Sequence, residues 1–409
     1  MEKRIEDYIP IVGRDNIDEL RLIAEKLKGK TIQNINSTAV GGGVAEILSR
    51  IVPLLNNLGV VTKWDVIKGG TDFFQVTKKI HNALHGKREN ITRNNIKTFF
   101  ETTKANIKEL RLYGDIIFVH DPQPIALIQE KKSHPGAKWI WRCHVDVSQP
   151  ITGVWRFLKK FIERYDATVF SAPSFAQKLK LRQFMICPSI DPLSEKNREI
   201  TRVEILSVLK KYGLPHNKPL VTQVSRFDRL KDPLGVIDAF KLVQKRVDCH
   251  LVLAGSHAAD DPESSEVLAE VRERVKDDSN IHILLVDPET NDFDINGLQR
   301  GSSVIVQKSI REGFALTVTE ALWKARPVVA SAVGGIPLQI AHKYSGLLCH
   351  SVEGAAMQIK QFLNNPDYAA KLGANGKEHV KQNFLLSRHL RDYMLLFLAL
   401  YSTKDIVYL

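Results

Sequence analysis

At 409 residues the chain is too long for one ordinary hydrophobic core, so two domains are expected. A hydrophobic content of 44% with 25% charged residues fits a soluble globular protein, and no apolar run is long enough to cross a bilayer as a helix. The formal net charge of +12 would suit nucleic acid, an anionic membrane surface or a small phosphorylated ligand. However, Lys and Arg are spread along the chain, with no basic tail and no basic run interleaved with aromatics. Neither nucleic-acid binding nor stable membrane association is therefore expected, and a few of the cations are free to serve an anion.

The amino terminus, Met1 to Gly13, alternates charged and apolar residues and lacks a signal-peptide core, so a cytoplasmic location is expected. From there, segments rich in Val and Ile alternate with helical patterns, which predicts parallel α/β architecture. The first series of strands is predicted at Thr31–Asn36, Val60–Val66, Ile116–His120, Trp139–Cys143 and Ala167–Ser171. Between the first two, Val44, Ile47, Leu48, Ile51, Leu54, Leu55 and Leu58 keep the i, i+3, i+4, i+7 spacing of one helix face, and Gly59 stops that helix. The pattern breaks at Pro188-Ser-Ile-Asp-Pro192, which places a domain join there. A second series of strands follows at Leu220–Val224, His250–Ala254, Ile281–Leu285, Ser303–Val306 and Pro327–Ala330. Residues Leu385 to Tyr401 read as a helix apolar on much of its surface, and packing back onto the first domain is one way to bury it. The expected organisation is two Rossmann-like, doubly wound domains, 1–190 and 191–384, with the first completed by a helix at about 385–409. Cys143, Cys187, Cys249 and Cys349 lie in or beside apolar runs without metal-ligand spacing, and are read as free thiols.

The segment Ser309–Pro327 is chemically the most specific. Glu312 and Glu320 stand eight positions apart around a small-residue turn that leads into a helix. A helix start offers free N–H groups and partial positive charge to a phosphate. Carboxylates on either side of it suit hydroxyl-bearing groups on either side of that phosphate, the layout of a nucleoside diphosphate sugar. A surface turn capped by acids is the plainer alternative. Gln223-Val-Ser-Arg226-Phe-Asp-Arg-Leu-Lys231 follows a strand, so Arg226 and Lys231 fall at the carboxyl edge where open α/β sheets bind ligands. Arg chelates phosphate oxygens and Lys acts as a point charge, so the pair would neutralise a diphosphate without a metal. Gly41-Gly-Gly43 between a strand and a helix permits close backbone approach to a ligand, or is only a tight turn. It fits neither a dinucleotide fingerprint nor a P-loop. His120-Asp121-Pro-Gln123 and Trp141-Arg142-Cys-His144-Val-Asp146 end two neighbouring strands with groups able to bond sugar hydroxyls. Trp141 is either a platform for a sugar ring or a core aromatic. Lys159 and Lys160 beside Phe157 and Phe161 form a basic-apolar stripe that a lipid acceptor would need.

With these residues in view, the chain resembles the retaining glycosyltransferases of GT-B fold, family 4, and within them the trehalose glycosyltransferring synthases. The resemblance runs through Asn36–Leu48, His120–Pro124, Trp139–Asp146, Pro188–Asn197, Gln223–Asp228, Asp260–Glu263 and Gln307–Phe314, in order over nearly the whole chain. It implies an active site in an interdomain cleft and transfer of glucose from UDP-, ADP- or GDP-glucose to free glucose, with retention and no metal or other cofactor. The catalytic group it implies is His144, Glu312, Arg226 and Lys231. Donor binding would fall to Gly42 and Gly43, Arg226 and Lys231, Glu312 for the sugar, the backbone of Gly313, Phe314, Ala315 and Leu316, and Glu320 for the ribose. His120, Asp121, Gln123 and Asp146 would bind the acceptor. Ala315 stands where the family usually has glycine, so its methyl group would tighten the sugar pocket or demand a negative φ. The alternatives are a trehalose phosphorylase, a family 4 enzyme with another acceptor, or a nucleotide-sugar-binding regulator. A homodimer is compatible with any of these.

Overall fold

The structure is a computed structural model, and it describes residues 3–40, 43–255, 262–276, 278–286 and 291–402. Gly42, Asp260 and Asp261 lie outside the described residues. The chain divides into two compact units, one comprising the residues up to Pro188 together with those from Leu386 onward, the other Ser189–Leu385.

Unit 1 is built on six parallel strands, β1 (Thr31–Asn36), β2 (Val61–Val66), β3 (Ile116–His120), β4 (Lys138–Cys143), β5 (Ala167–Phe170) and β6 (Arg182–Met185), in the order β2-β1-β3-β4-β5-β6. Parallel strands need crossover connections, and helices supply them, so the central strands are covered on both faces. β3 is buried at every position. The helix Gly43–Asn57 buries Ile47, Leu48, Ile51, Leu54 and Leu55 of the predicted stripe together with Ala45, while Val44 is only partly buried and Leu58 lies just beyond the helix. It is followed by Gly59 at φ +86°, a left-handed position that glycine takes at no steric cost. The helix Leu386–Ala399 belongs to this unit. Its Tyr393 and Phe397 rings stand 5.1 and 5.8 Å from that of Phe118 on β3.

Unit 2 repeats the architecture with β7 (Leu220–Val224), β8 (His250–Gly255), β9 (Ile281–Leu285), β10 (Val304–Gln307), β11 (Val328–Ser331) and β12 (Leu347–Cys349), in the order β12-β11-β10-β7-β8-β9. All its pairings are parallel. Alternate strand residues feed two cores. Val221, Leu251 and Leu253 join Ile237, Phe240, Ile359 and Phe362 on one face, while Leu220, Val252 and Ala254 join Leu209 and Leu298 on the other.

Each of the ten strands expected from the sequence is present within one residue of its predicted ends. β6 and β12 were not expected. In both sheets the direction of strand addition reverses, between β1 and β3 in unit 1 and between β7 and β10 in unit 2. Such a reversal opens a crevice at the carboxyl ends of the strands, where ligands of doubly wound sheets bind. The loops after β1, β3, β7 and β10 flank these reversals and carry Asp121 and Gln123, Arg226 and Lys231, and Glu312, while His144 and Asp146 follow β4.

Candidate active site

In unit 2 the loop after β7 carries Arg226, Asp228 and Lys231, and the loop after β10 carries Ser309 to Ala315. The structure brings Lys231 and Glu312 together across the strand reversal, with Nζ 2.5 Å from Oε2. Ser309 donates its hydroxyl to the same carboxylate oxygen at 3.2 Å, and Gln307 donates to the Ser309 hydroxyl at 2.9 Å. Glu312 is thus a buried acid held by a cation and a hydroxyl, which keeps its position fixed. The Lys231 backbone is anchored as well: its carbonyl accepts from the Gln223 side chain at 2.8 Å, and its N–H donates to the Asp228 carbonyl at 3.0 Å. The two loops are joined directly by the Ile310 N–H, which donates to the Leu230 carbonyl at 2.8 Å, and by the Lys308–Asp232 ion pair. Arg226 stands apart, its side chain 58% exposed and in a long 3.4 Å contact with Asp228, so its guanidinium is open to an anion.

The turn that follows is clamped from outside the motif. Gln339 accepts from the Thr319 hydroxyl at 2.6 Å and donates to the Phe314 carbonyl. A Cβ on Gly334 would fall 1.7 Å from the Glu312 carbonyl oxygen, and one on Gly335 would fall 2.7 Å from the Phe314 ring. Glycine is required at both positions for this approach, and sequence inspection had not singled out either of them or Gln339. Ala315 corrects an expectation. Its methyl group does not impose a negative φ, because the residue sits at φ +69°, ψ +73° immediately before the helix Leu316–Trp323. Held by the clamped turn on one side and the helix on the other, it tolerates a conformation costing about 1–2 kcal/mol for a residue with a Cβ. Glu320 lies on that helix in a different group. It is 2% exposed, and its Oε1 is 3.8 Å from Lys196 Nζ.

In unit 1, β3 and β4 end side by side and bring His120, Asp121 and His144 together. The Asp121 carboxylate accepts the His144 backbone N–H at 2.8 Å. A chain of ring contacts runs beneath it. Arg142 Nε lies 3.4 Å from His144 Nδ1, His144 Nε2 lies 3.1 Å from His120 Nδ1, and His120 Nε2 lies 3.1 Å from Asn34 Oδ1. Arg can only donate, and the Asn34 amide nitrogen is already committed to the Lys63 carbonyl at 3.2 Å. Both imidazoles are therefore neutral and carry their proton on Nε2. Burial together with the Arg142 charge pushes both well below the usual histidine range, in keeping with this. Asp121, at φ +66°, is raised by burial to about 6, with the His144 N–H and Arg142 pulling the other way. Gln123 Oε1 is buried with no hydrogen-bond partner among the described residues. The signal for Asn34, which ends the ring chain, was not visible in the sequence.

Other first-domain side chains named from the sequence are engaged within the protein. Trp141 is fully buried, edge-on to Phe170 with its Nε1–H on the Asp121 carbonyl at 2.9 Å, so it is core and not a sugar platform. Asp146 is 4% exposed and accepts from the Ser148 N–H at 2.9 Å and the Ser148 hydroxyl at 2.6 Å, a local turn cap. Phe157 and Phe161 pack with Phe99 and Phe100 at ring separations of 5.9–6.2 Å, so the stripe beside Lys159 and Lys160 has its apolar half covered. Gly43 opens the helix Gly43–Asn57. Among the described residues no cluster of three or more His, Cys, Asp or Glu is arranged to hold a metal ion, and no helix is long and apolar enough to cross a membrane. Cys143, Cys249 and Cys349 are buried free thiols, and Cys187 is free and partly exposed.

Known proteins match this geometry in both halves. Residues 34–177 match the family described as "Trehalose synthase, N-terminal domain", and residues 207–379 match "Glycosyl transferases group 1". A trehalose synthase from Thermococcus litoralis is 42% identical over 96% of this chain and 96% of its own length. Among solved structures, a sucrose-phosphate synthase from Thermosynechococcus elongatus superposes with a TM-score of 0.70 at 19% identity, covering 92% of this chain and 100% of its own. Anabaena HepE in complex with UDP-glucose superposes with a TM-score of 0.66 at 15% identity, covering 90% and 99%. The two parallel six-stranded sheets are those of the GT-B fold. The chain belongs to the trehalose synthase family and is a glycosyltransferase.

Proposed function

We propose that the chain transfers glucose from a nucleoside diphosphate glucose to free glucose, forming α,α-trehalose with retention at the donor carbon and without a metal ion. The observation that carries the reading is the Lys231–Glu312 pair at the strand reversal of unit 2, ahead of a helix start, with an exposed Arg226 on the same loop as Lys231. In this reading the two cations neutralise the diphosphate, and Glu312 bonds the sugar hydroxyls. A ligand of the same class, UDP-glucose, is bound by the structurally similar Anabaena protein, and the Thermococcus relative is a trehalose synthase.

In this reading the bond from donor C1 to the β-phosphate oxygen breaks as the bond from C1 to the acceptor O1 forms. The acceptor's hydroxyl proton passes to the departing phosphate oxygen on the same face of the sugar, so no carboxylate nucleophile is needed beneath the ring. Arg226 and Lys231 stabilise the negative charge that develops on the leaving group. Glu312 orients the donor glucose, with Lys231 holding its carboxylate. His144 serves the donor sugar's reactive face as a neutral imidazole, and His120, Asp121 and Gln123 hold the acceptor. Gly42 and Gly43 are assigned to the leaving phosphate.

The test is incubation with glucose and each of UDP-, ADP- and GDP-glucose in EDTA, with the product identified by NMR. An α,α-1,1 disaccharide and released nucleoside diphosphate are expected from at least one donor. The assignment fails if glucose accepts from none of the donors while glycerate or a lipid is glycosylated. Release of glucose 1-phosphate from trehalose and inorganic phosphate alone would mark the chain as a phosphorylase.

A further inference from the structure

The segment Ser194-Glu-Lys-Asn197 is part of the family resemblance, yet nothing above gives it a role. It folds in unit 2 as a tight turn. The Asn197 N–H donates to the Ser194 carbonyl at 2.9 Å, and the Asn197 amide donates to the Asp191 carbonyl and the Ser194 hydroxyl at 3.1 and 3.2 Å. This turn holds the far end of the helix Leu316–Trp323. Asn197 Oδ1 accepts from Lys324 Nζ at 2.9 Å, the Asn197 carbonyl accepts from Trp323 Nε1 at 3.2 Å, and Lys324 Nζ also donates to the Glu320 carbonyl at 3.2 Å. Asn197, Glu320 and Lys324 are all at most 2% exposed. Lys196 completes the group, its Nζ lying 3.8 Å from Glu320 Oε1 and 3.4 Å from Asp292 Oδ1.

A carboxylate this deeply buried is costly unless a cation compensates it. The Lys324 ammonium is directed at the helix carbonyl and at Asn197, so it secures the backbone that carries Glu320. Lys196 reaches the carboxylate itself, its ammonium lying between Asp292 and Glu320. At 3.8 Å the contact is a charge interaction and not a short hydrogen bond, and it favours the ionised form of the carboxylate. We infer that Lys196, Asn197 and Lys324 are positioning residues for the nucleotide end of the donor, holding Glu320 ionised and aimed so that it accepts the two ribose hydroxyls. The inference rests on the proposed nucleoside diphosphate donor and deepens it, because it assigns recognition of the ribose to a turn well outside the Glu312–Glu320 motif.

The experiment compares ligands that differ only at the ribose. Dissociation constants are measured by calorimetry for UDP, ADP and GDP and for their 2′,3′-dideoxy forms, with wild type, Lys196→Met and Lys196→Arg. Hydrogen bonds to a charged group contribute about 1.5–3 kcal/mol, so wild type should prefer the hydroxylated ligand by roughly 10- to 100-fold. Lys196→Met should bring the two affinities within about threefold by weakening only the hydroxylated ligand, and Lys196→Arg should restore most of the preference. Equal weakening of both ligands, or no change in either, overturns the inference, as does a wild-type protein that binds a diphosphate without distinguishing its dideoxy form. Wild type that binds none of the three diphosphates would instead overturn the donor reading. Melting curves establish folding; if Lys196→Met does not fold, Lys196→Gln is measured with the same expectations.

Discussion

Gly334→Ala tests whether the position of Glu312 is what the catalytic turn depends on, without altering any group assigned to the substrate. Gly334 sits at φ +56°, and a Cβ there would lie 1.7 Å from the carbonyl oxygen and 2.7 Å from the carbonyl carbon of Glu312. Contacts under 3.0 Å do not persist, so backbone must retreat by about 1.3 Å. No flexible side-chain end is available to absorb the clash. The residue that retreats carries the carboxylate bonded to Lys231. Misplacement of a reacting constellation by about 1 Å costs on the order of 10²-fold in rate. The left-handed backbone adds about 1–2 kcal/mol of destabilisation for alanine. Steady-state transfer from the preferred nucleotide glucose to glucose should therefore show kcat lowered roughly 100-fold in a protein that still melts cooperatively, at a lower temperature. A folded variant whose kcat stays within about threefold of wild type, under 1 kcal/mol in barrier, would refute the claim that Gly334 holds the turn.

Ala315→Gly is the converse change. Relief of the φ +69° strain, about 1–2 kcal/mol, exceeds the extra unfolded-state entropy of glycine, about 0.5–1 kcal/mol, so urea denaturation should show a small gain in stability; a loss would mean that the methyl group's packing outweighs its strain. Asp121 is raised from 3.8 to about 6, so the stability it contributes is fully present below pH 3.8 and is lost as pH rises through 6. Asp121→Asn keeps an acceptor for the His144 N–H and should flatten the stability profile across that window, a difference of up to about 3 kcal/mol; parallel profiles for the two proteins would place the titration elsewhere. Arg226→Ala and Lys231→Ala should each lower turnover on the order of 10²-fold through lost stabilisation of the leaving diphosphate, with EDTA harmless to the wild type. Normal turnover in both variants would move the phosphate away from these residues, and a requirement for added Mg²⁺ or Mn²⁺ would contradict metal independence.

What the sequence made legible was whatever is local in the chain. Val-Ile runs bounded by breakers specified ten strands to within a residue, eight of them central, and a central parallel strand buried on both faces has few ways to be written. β6 and β12 escaped for the opposite reason: Arg182–Met185 is an edge strand with no buried position, and Leu347–Cys349 is three residues long. Lys231 and Glu312 were visible because each is a charge on the loop that follows a strand, and such loops meet at one sheet edge. Gly334, Gln339, Asn34 and Lys196 act on residues from 22 to 124 positions away, at the Glu312 carbonyl, the Phe314 carbonyl, the His120 ring and the Glu320 carboxylate respectively. No spacing rule reports such partners. Trp141 was ambiguous for a physical reason, since a large aromatic at a strand end is equally at home under the sheet or over it. The conformation of Ala315 was misjudged because intrinsic preference was weighed without the tertiary clamp that overrides it.

The path of the chain has a bearing on its synthesis. Unit 2 is one uninterrupted stretch, Ser189–Leu385, whereas unit 1 needs Leu386–Ala399 to cover the Phe118 side of its sheet. On the ribosome the second unit has its whole sequence available first, while the earlier-made sheet waits for its closing helix with apolar surface still uncovered. A helix of 14 residues that buries Leu386, Leu390, Tyr393, Met394, Leu396 and Phe397 is made only after the whole of unit 2, so premature termination a few codons before it should yield a folded second half attached to an aggregation-prone first half.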